Sequence, residues 1–155
     1  MDNLIDYGKV SNEVFELINH IRTDPVFFVP DLIKMRGLYS GNTYNPPGSD
    51  CAIFMEEGVT AVEEAITFLK TVPPTHALVR RPELDHTAQL LVDAIGPMGA
   101  TGHGRDELSV QNRIQKAFDK GSKHKIAENI SLGFASAKEI VLQFVIDDGK
   151  KDRQN

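Results

Sequence analysis

One histidine of the chain lies between glycines. Residues 99–106 read GATGHGRD, which places His103 between Gly102 and Gly104. Glycine has no side chain that would screen the imidazole, and it allows backbone turns that other residues resist. The pattern therefore predicts that the His103 side chain is exposed to solvent rather than packed in the core. A neutral imidazole is a ligand for zinc and similar ions, and it is the usual general base of catalysis.

One carboxylate falls in the apolar phase of a predicted strand. The segment KIAENISLGF alternates with the two-residue period of a half-buried strand, and Glu128 shares the phase of its apolar residues. Those residues are Ile126, Ile130, Leu132 and Phe134. A buried carboxylate is costly unless it is paired, protonated or bound to a cation. Two interpretations stay open. Glu128 and His103 share a site, or His103 is a loop histidine hydrogen-bonded to the backbone and a bulge turns Glu128 outward.

Two acids follow the last predicted helix. Asp147 and Asp148 lie at its C-terminus, where the helix dipole disfavours negative charge by about 0.3–1 kcal/mol. The basic residues that follow, Lys150, Lys151 and Arg153, are expected to neutralise them.

Composition limits the classes of function. The chain has 155 residues and a formal net charge of −5, so we expect a single domain over residues 1–155 and no nucleic-acid partner. No apolar run approaches the length of a membrane span. The start MDNLIDYGKV lacks the features of a signal peptide, which favours a cytoplasmic location, with cytoskeletal association left open. The single cysteine, Cys51, is interpreted as a loop residue.

Apolar spacing predicts a helix-rich chain. The predicted helices begin at about Ser11, Val59, Pro82, Ser109 and Ser136, and the three serines are predicted as their N-caps. A shorter helical piece is expected after Pro25 and Pro30, running through Leu32 and Met35, and residues 39–50 are interpreted as a surface loop. Gly121 is expected to close the helix that starts at Ser109.

Two of these helices carry clear apolar stripes. The helix from Pro82 is predicted to bury Leu84, Ala88, Leu91, Val92 and Ile95. The helix from Ser136 is predicted to turn Ile140, Val141, Phe144 and Val145 inward. The other histidines are interpreted as solvated or loop residues: His20, His76, His86 and His124.

The order of six segments resembles the CAP superfamily, also called the SCP-like domain. The segments are LINHIRTDP, EEGVTAVEEAITFLK, LDHTAQLLVDAIGPMGATGHGRD, RIQKAF, AENISLGF and EIVLQFVIDDG. The resemblance runs from about Glu13 to Arg153 and is nearest to the intracellular microbial and protist branch. It implies an α+β fold, an α-β-α sandwich that is rich in helix and has a small antiparallel sheet.

The family resemblance also implies a cleft of two histidines and two acids, which binds a divalent metal in some members. His103 corresponds to the first cleft histidine and Glu128 to the glutamate of a glutamate-asparagine pair. Asp147 lies near the second acid, where the family usually has the longer glutamate. The related branch continues DDG…RGHR, whereas here Gln154-Asn155 follow Arg153.

The second cleft histidine and the last two strands of the family therefore have no counterpart in this sequence. We expect the sheet to be incomplete at its C-terminal side, either in a divergent or truncated copy or because the sequence is incomplete. We also expect no cofactor beyond weak binding of zinc or magnesium by His103, Glu128 and Asp147.

Three functions follow from these expectations. The favoured one is a non-enzymatic intracellular module that binds a protein partner or belongs to a larger assembly. Its partner would add a strand to the segment 126–134, with the helix 136–146 near the contact. The alternatives are a metal-dependent hydrolase that uses the His103/Glu128 cleft and a lipid-binding protein of the CAP type, the latter without support from individual residues.

Overall fold

The computed structural model describes residues 5–118 and 125–150. In chain order its helices and strands are α1 (Tyr7–Thr23), a 3₁₀ turn (Pro25–Phe28), α2 (Val29–Arg36), β1 (Tyr39–Ser40), β2 (Thr43–Tyr44), β3 (Ile53–Phe54), α3 (Val59–Thr71), α4 (Pro82–Ile95), 3₁₀ turns at Gly96–Met98 and Asp106–Leu108, α5 (Val110–Ala117) and α6 (Ala137–Ile146). The described residues are thus rich in helix with a small antiparallel sheet, which confirms the α+β class.

The chain divides into two compact units. The first unit contains the residues up to Leu78 and those from Ser131 onward, and the second unit is Val79–Ile130. The single domain expected over residues 1–155 stays a prediction. Across residues 5–118 and 125–150, no helix combines the length and apolarity that a membrane crossing needs.

The core of the first unit forms where α2, α3 and α6 meet, and α1 packs along its edge. Its least exposed large side chains are Phe28, Leu32, Val62, Leu69 and Val141. Leu32 and Val141 lie at predicted apolar positions of α2 and α6, and Val62 and Leu69 lie seven residues apart on α3, so packing follows the helical period. The predicted inward face of α6 is correct at Val141, whereas Leu142 and Ile146 are more deeply buried than its other predicted positions.

Helix α1 begins four residues before the predicted start. The side chain of Asp6 accepts a hydrogen bond from the Lys9 N–H at 3.0 Å and caps the helix at Tyr7. The prediction of Ser11 as N-cap is therefore wrong. Both residues are good caps, and the extra turn that Asp6 permits adds backbone hydrogen bonds, among them Val10 N–H to the Asp6 carbonyl at 3.0 Å.

The segment predicted as a loop holds part of the sheet. Strand β2 pairs antiparallel with β1 and with β3, in the order β1-β2-β3. Tyr39 lies opposite Tyr44, and their rings are 5.1 Å apart. The prediction of an irregular loop over residues 39–50 is thus wrong at these two-residue strands, because Gly41 with φ +60° supplies the tight turn between β1 and β2.

Asp148, two residues after the end of α6, anchors the start of α3. Asp148 accepts hydrogen bonds from the backbone N–H groups of Glu56, Glu57 and Gly58 at 2.7, 2.9 and 3.1 Å. Gly58 is the N-cap of α3 with φ +63°, and a Cβ there would lie 2.7 Å from the Asn42 Cα. The carboxylate therefore meets the positive end of the α3 dipole, which stabilises a negative charge.

In the second unit α4 packs against α5, but its buried face differs from the predicted stripe. Thr87 and Leu91 are buried. Leu84, Ala88 and Val92 are exposed, so the predicted stripe is correct only at Leu91 and in part at Ile95. The contact with α5 is rotated around the helix, and it leaves one apolar row of α4 uncovered.

The strand predicted over residues 126–134 is absent from the described structure. Residues 125–135 carry no strand pairing there, although Ile126, Glu128 and Ile130 are more buried than the residues between them. The predicted inward face is thus confirmed for these three residues, whereas the prediction of a strand is wrong. Alternation indicates which side chains turn inward, but a strand also needs a hydrogen-bonding neighbour.

Candidate functional site

His103 and Glu128 lie together in the second unit. The imidazole Nδ1 is 3.0 Å from the Glu128 carboxylate oxygen Oε1. The side chain of His103 is 55% exposed and that of Glu128 is 17% exposed. The histidine therefore faces solvent with one edge and the carboxylate with the other. Its exposure agrees with the glycine-flanked loop, and the contact agrees with the shared-site interpretation, one of the two left open.

Two glycines shape the loop that carries His103. Gly102 has φ +99° and Gly104 has φ +74°, both in the left-handed region that favours glycine. A Cβ on Gly104 would collide with the carbonyl of Leu108. The loop thus folds tightly onto the turn at Asp106–Leu108, and only glycine fits at position 104.

A buried arginine holds the carboxylate. The side chain of Arg113 is 2% exposed, and its Nη2 lies 2.9 Å from Oε1 and 2.8 Å from Oε2 of Glu128. The same Nη2 lies 3.4 Å from the carbonyl oxygen of His103. Arg113 therefore fixes both the side chain of Glu128 and the backbone of the His103 loop.

The guanidinium is itself held on its other sides. Its Nε donates to the carbonyl of Leu108 at 2.8 Å, and its Nη1 donates to the carbonyl of Thr87 at 2.8 Å. These bonds connect α5 to α4 and to the turn before α5. Because a buried charge is tolerated only when it is paired and hydrogen-bonded, this network explains how Arg113 is buried without loss of its charge.

Helix α5 positions Arg113. Ser109 caps the helix by accepting from the Asn112 N–H, as the sequence predicted. The helix ends at Ala117, and the predicted closing residue Gly121 lies outside the described residues. On the exposed side, the hydrogen bond and charge of Lys116 lower the pKa of the Glu107 carboxyl.

Sequence reasoning missed Arg113, although a signal was present. Arg113 lies three residues after Val110 and four before Ala117, which places a cation on the side of α5 where apolar residues recur. Glu128 shows the same anomaly on an apolar face. Two opposite charges, each in an apolar phase, are the pattern expected of a buried ion pair.

The third predicted ligand belongs to the first unit. Asp147 ends α6 with φ +48°, is buried, and donates its N–H to the Gln143 carbonyl at 3.0 Å. Within the described ranges, no three histidine, cysteine, aspartate or glutamate side chains are grouped so as to hold a metal ion. The ligand set of His103, Glu128 and Asp147 stays a prediction.

The donors of the second unit fit a divalent metal poorly. Both oxygens of Glu128 already accept from the Arg113 guanidinium, and Oε1 also faces the His103 Nδ1. A metal ligand must offer a lone pair, and a cation beside Glu128 would meet a fixed positive charge. Of the described His103–Glu128 pair, one exposed imidazole nitrogen remains, which is fewer than the three protein ligands of a typical catalytic zinc site.

The remaining candidates behave as loop or surface residues. Cys51 is exposed, and its N–H donates to the Ser49 hydroxyl at 3.1 Å. His20 stacks on Phe27 with ring centroids 3.7 Å apart. His76 and His86 are exposed, while His124 lies outside the described residues.

A shallow open depression on α3 contains none of the predicted site residues. It is lined by Thr60, Glu63, Glu64, Thr67, Phe68 and Thr71.

No protein-family model, no curated protein and no solved structure matches this chain.

Proposed function

We propose that this chain is a non-enzymatic module that binds another protein through an exposed apolar row on α4. The row consists of Leu84, Ala88 and Val92, which follow one another at four-residue spacing. Leu84 is 44% exposed and Val92 is 58% exposed. This exposed row is the observation that supports the proposal, since contiguous apolar surface is a common mark of an interaction site.

The side of α4 next to this row already has its partner. Thr87 and Leu91 are buried against the rest of the second unit. Covering the α4 row would remove further apolar area from water, which is favourable by about 25 cal/mol for each Å². An amphipathic helix laid along the row would supply matching apolar side chains at the same spacing.

Charge beside the row indicates the chemistry of that partner. Asp85, Gln89 and Asp93 form a parallel line next to Val92, and α4 contains no lysine or arginine. Asp85 is paired with Arg80 at 2.8 Å, whereas Asp93 accepts from the neutral amide of Gln89 at 2.7 Å, so Asp93 is the carboxylate of this edge that a basic partner would meet. A second copy of this chain would bring its own acids to the contact. A helix whose apolar row is bordered by lysine or arginine complements the acidic edge instead.

The earlier route to a partner, strand addition along 126–134, has weaker support, because the described residues of that segment form no strand. The metal-dependent hydrolase is less well supported too, since the guanidinium of Arg113 occupies both oxygens of Glu128. The lipid-binding alternative and the CAP-type α-β-α sandwich rest on the family resemblance alone. An experimental structure tests the sandwich.

Selection of helical peptides tests the proposed function. A displayed library of amphipathic 16-residue peptides is screened against the purified chain, and the Kd of selected peptides is measured by fluorescence anisotropy. We expect selected peptides to carry an apolar i, i+4, i+8 row beside lysine or arginine. Their binding should fall at least tenfold with Leu84→Glu or Val92→Glu.

The matched control is Phe68→Glu, which alters an exposed apolar residue of the first unit. This variant should bind the same peptides as tightly as the unaltered chain. Equal loss of binding in Phe68→Glu, unchanged binding in both α4 variants, or failure to select any peptide would overturn the proposal. Dimerisation of the chain that Val92→Glu abolishes would identify a second copy as the occupant and would also overturn it.

A further inference from the structure

The Glu128 carboxylate next to His103 already has a counter-ion, the guanidinium of Arg113. Arg113 places Nη2 within 2.9 Å of both oxygens of Glu128. The contacts to Leu108 and Thr87, both at 2.8 Å, keep the guanidinium from moving aside. A divalent metal at Glu128 would have to displace a buried, fully hydrogen-bonded charge.

We infer that Arg113 takes the place of a metal ion at Glu128, so that the His103–Glu128 pair is a metal-independent site that presents a hydrogen-bond acceptor. This inference does not depend on the α4 interface. It concerns which ring nitrogen of His103 carries hydrogen in the neutral imidazole, and the affinity of the site for metal.

The position of Glu128 determines which nitrogen of His103 carries hydrogen. A carboxylate has no hydrogen to donate, so the contact at 3.0 Å requires a hydrogen on Nδ1. In the neutral ring the other nitrogen, Nε2, then has a free lone pair. Because the side chain is 55% exposed, this lone pair is available to a donor from outside.

The ligand class follows from this arrangement. The exposed nitrogen accepts a hydrogen bond, so it suits a ligand with a neutral N–H or O–H donor, such as a backbone amide or a hydroxyl group. The charges of Glu128 and Arg113 compensate each other at 2.8 Å, so the site adds little net charge. A divalent metal would find one nitrogen ligand here and little electrostatic attraction, whereas a neutral donor needs only this one acceptor.

Nuclear magnetic resonance of the wild-type chain tests the tautomer. Long-range ¹H–¹⁵N spectra at about pH 8, above the usual titration range of histidine, distinguish hydrogen on Nδ1 from hydrogen on Nε2. We expect His103 to show mainly the Nδ1–H form. His86, which is exposed on α4, is the internal reference and should show mainly the ordinary Nε2–H form. A dominant Nε2–H form at His103 would overturn the inference.

A zinc titration tests the second half of the inference. Calorimetry is carried out on the wild-type chain, on His103→Ala and on the matched control His86→Ala. Both histidines are exposed, so alanine at either position leaves the packing intact. We expect all three proteins to bind zinc equally weakly. One-to-one binding at least tenfold tighter in wild type and His86→Ala than in His103→Ala would show a metal site at His103 and refute the inference.

Discussion

Replacing Asp148 should loosen the start of α3. Its carboxylate accepts three backbone N–H groups, at 2.7, 2.9 and 3.1 Å. Hydrogen bonds to a charged group contribute about 1.5–3 kcal/mol each, while loss of an N-terminal cap costs about 0.5–2 kcal/mol. Since water can reach part of this site and the three bonds share the two oxygens of one carboxylate, we expect Asp148→Ala to lower the free energy of unfolding by about 3 kcal/mol.

The amide variant separates charge from hydrogen bonding. Asp148→Asn keeps one acceptor oxygen and loses the negative charge that faces the α3 dipole. We expect this variant to lose about 1–1.5 kcal/mol, less than the alanine variant. The control Asp50→Ala changes an exposed acid in the loop before β3 and should stay within about 0.5 kcal/mol of wild type.

Urea denaturation followed by circular dichroism measures these differences, and hydrogen exchange assigns them to a region. The amides of Glu56, Glu57 and Gly58 should exchange faster in Asp148→Ala, together with the first turn of α3. If Asp148→Ala stays within about 0.5 kcal/mol of wild type and those amides exchange at the wild-type rate, the capping argument is refuted.

Three further perturbations have defined outcomes. Arg113→Met should lower stability by about 3 kcal/mol in urea denaturation, because the half-buried Glu128 carboxylate loses its counter-ion, and adding Glu128→Leu should restore at least about 1 kcal/mol. Gly104→Ala should cost about 1–3 kcal/mol in thermal denaturation, since its Cβ would meet the Leu108 carbonyl at φ +74°. Burial, helped by a nearby negative charge, raises the pKa of Tyr39 from 10.0 to about 12, so stability should fall as pH rises between these values.

The sign of the pH effect follows from linkage. The folded chain keeps the phenol proton of Tyr39 over a range in which the unfolded chain has lost it, so this stability is present below about pH 10 and is lost as the pH approaches 12. Tyr39→Phe should flatten that dependence. The Tyr39 hydroxyl is buried without a hydrogen-bond partner in the described structure, so Tyr39→Phe should leave stability at neutral pH unchanged or slightly higher.

Each of these results has a control or a contradicting outcome. Gly99→Ala, at φ +61° with no atom within 4 Å of its Cβ, should cost less than Gly104→Ala. Equal costs would remove the argument from the Leu108 carbonyl. An additive double variant at positions 113 and 128 would show that the two charges do not interact, and an unchanged pH profile in Tyr39→Phe would assign the alkaline loss to other groups.

Helices were the most predictable part of the fold. The spacing of apolar residues predicted α3, α4 and α6, and the capping residues Ser109 and Ser136 were read correctly. These signals are local, since a helix satisfies its backbone within its own segment. The start of α1 was wrong because Asp6 and Ser11 are both acceptable caps, and the hydrogen bond that selects Asp6 is not visible in the spacing.

Strands were less predictable, because their hydrogen bonds join distant residues. The alternation through Ile126, Glu128 and Ile130 correctly indicated their inward side, yet no strand forms there in the described structure. The short strands at Tyr39–Ser40 and Thr43–Tyr44 lie in a segment whose glycines and prolines are typical of loops. Two paired residues on each strand leave too short a pattern to detect.

The partners of Asp148 and Glu128 show why the local sequence pattern predicts only part of a site. Judged from its own helix, Asp148 is at the unfavourable C-terminal end of α6, yet its carboxylate lies at the favourable N-terminal end of α3. Glu128 is similar, since its cost on an apolar face is offset by Arg113 from α5. In both cases the sequence located a charge that needed a partner, and tertiary packing supplied it. A charged residue at an apolar position of a helix or strand is therefore best considered together with every oppositely charged residue at such a position. The fold must bring these groups to each other or to solvent.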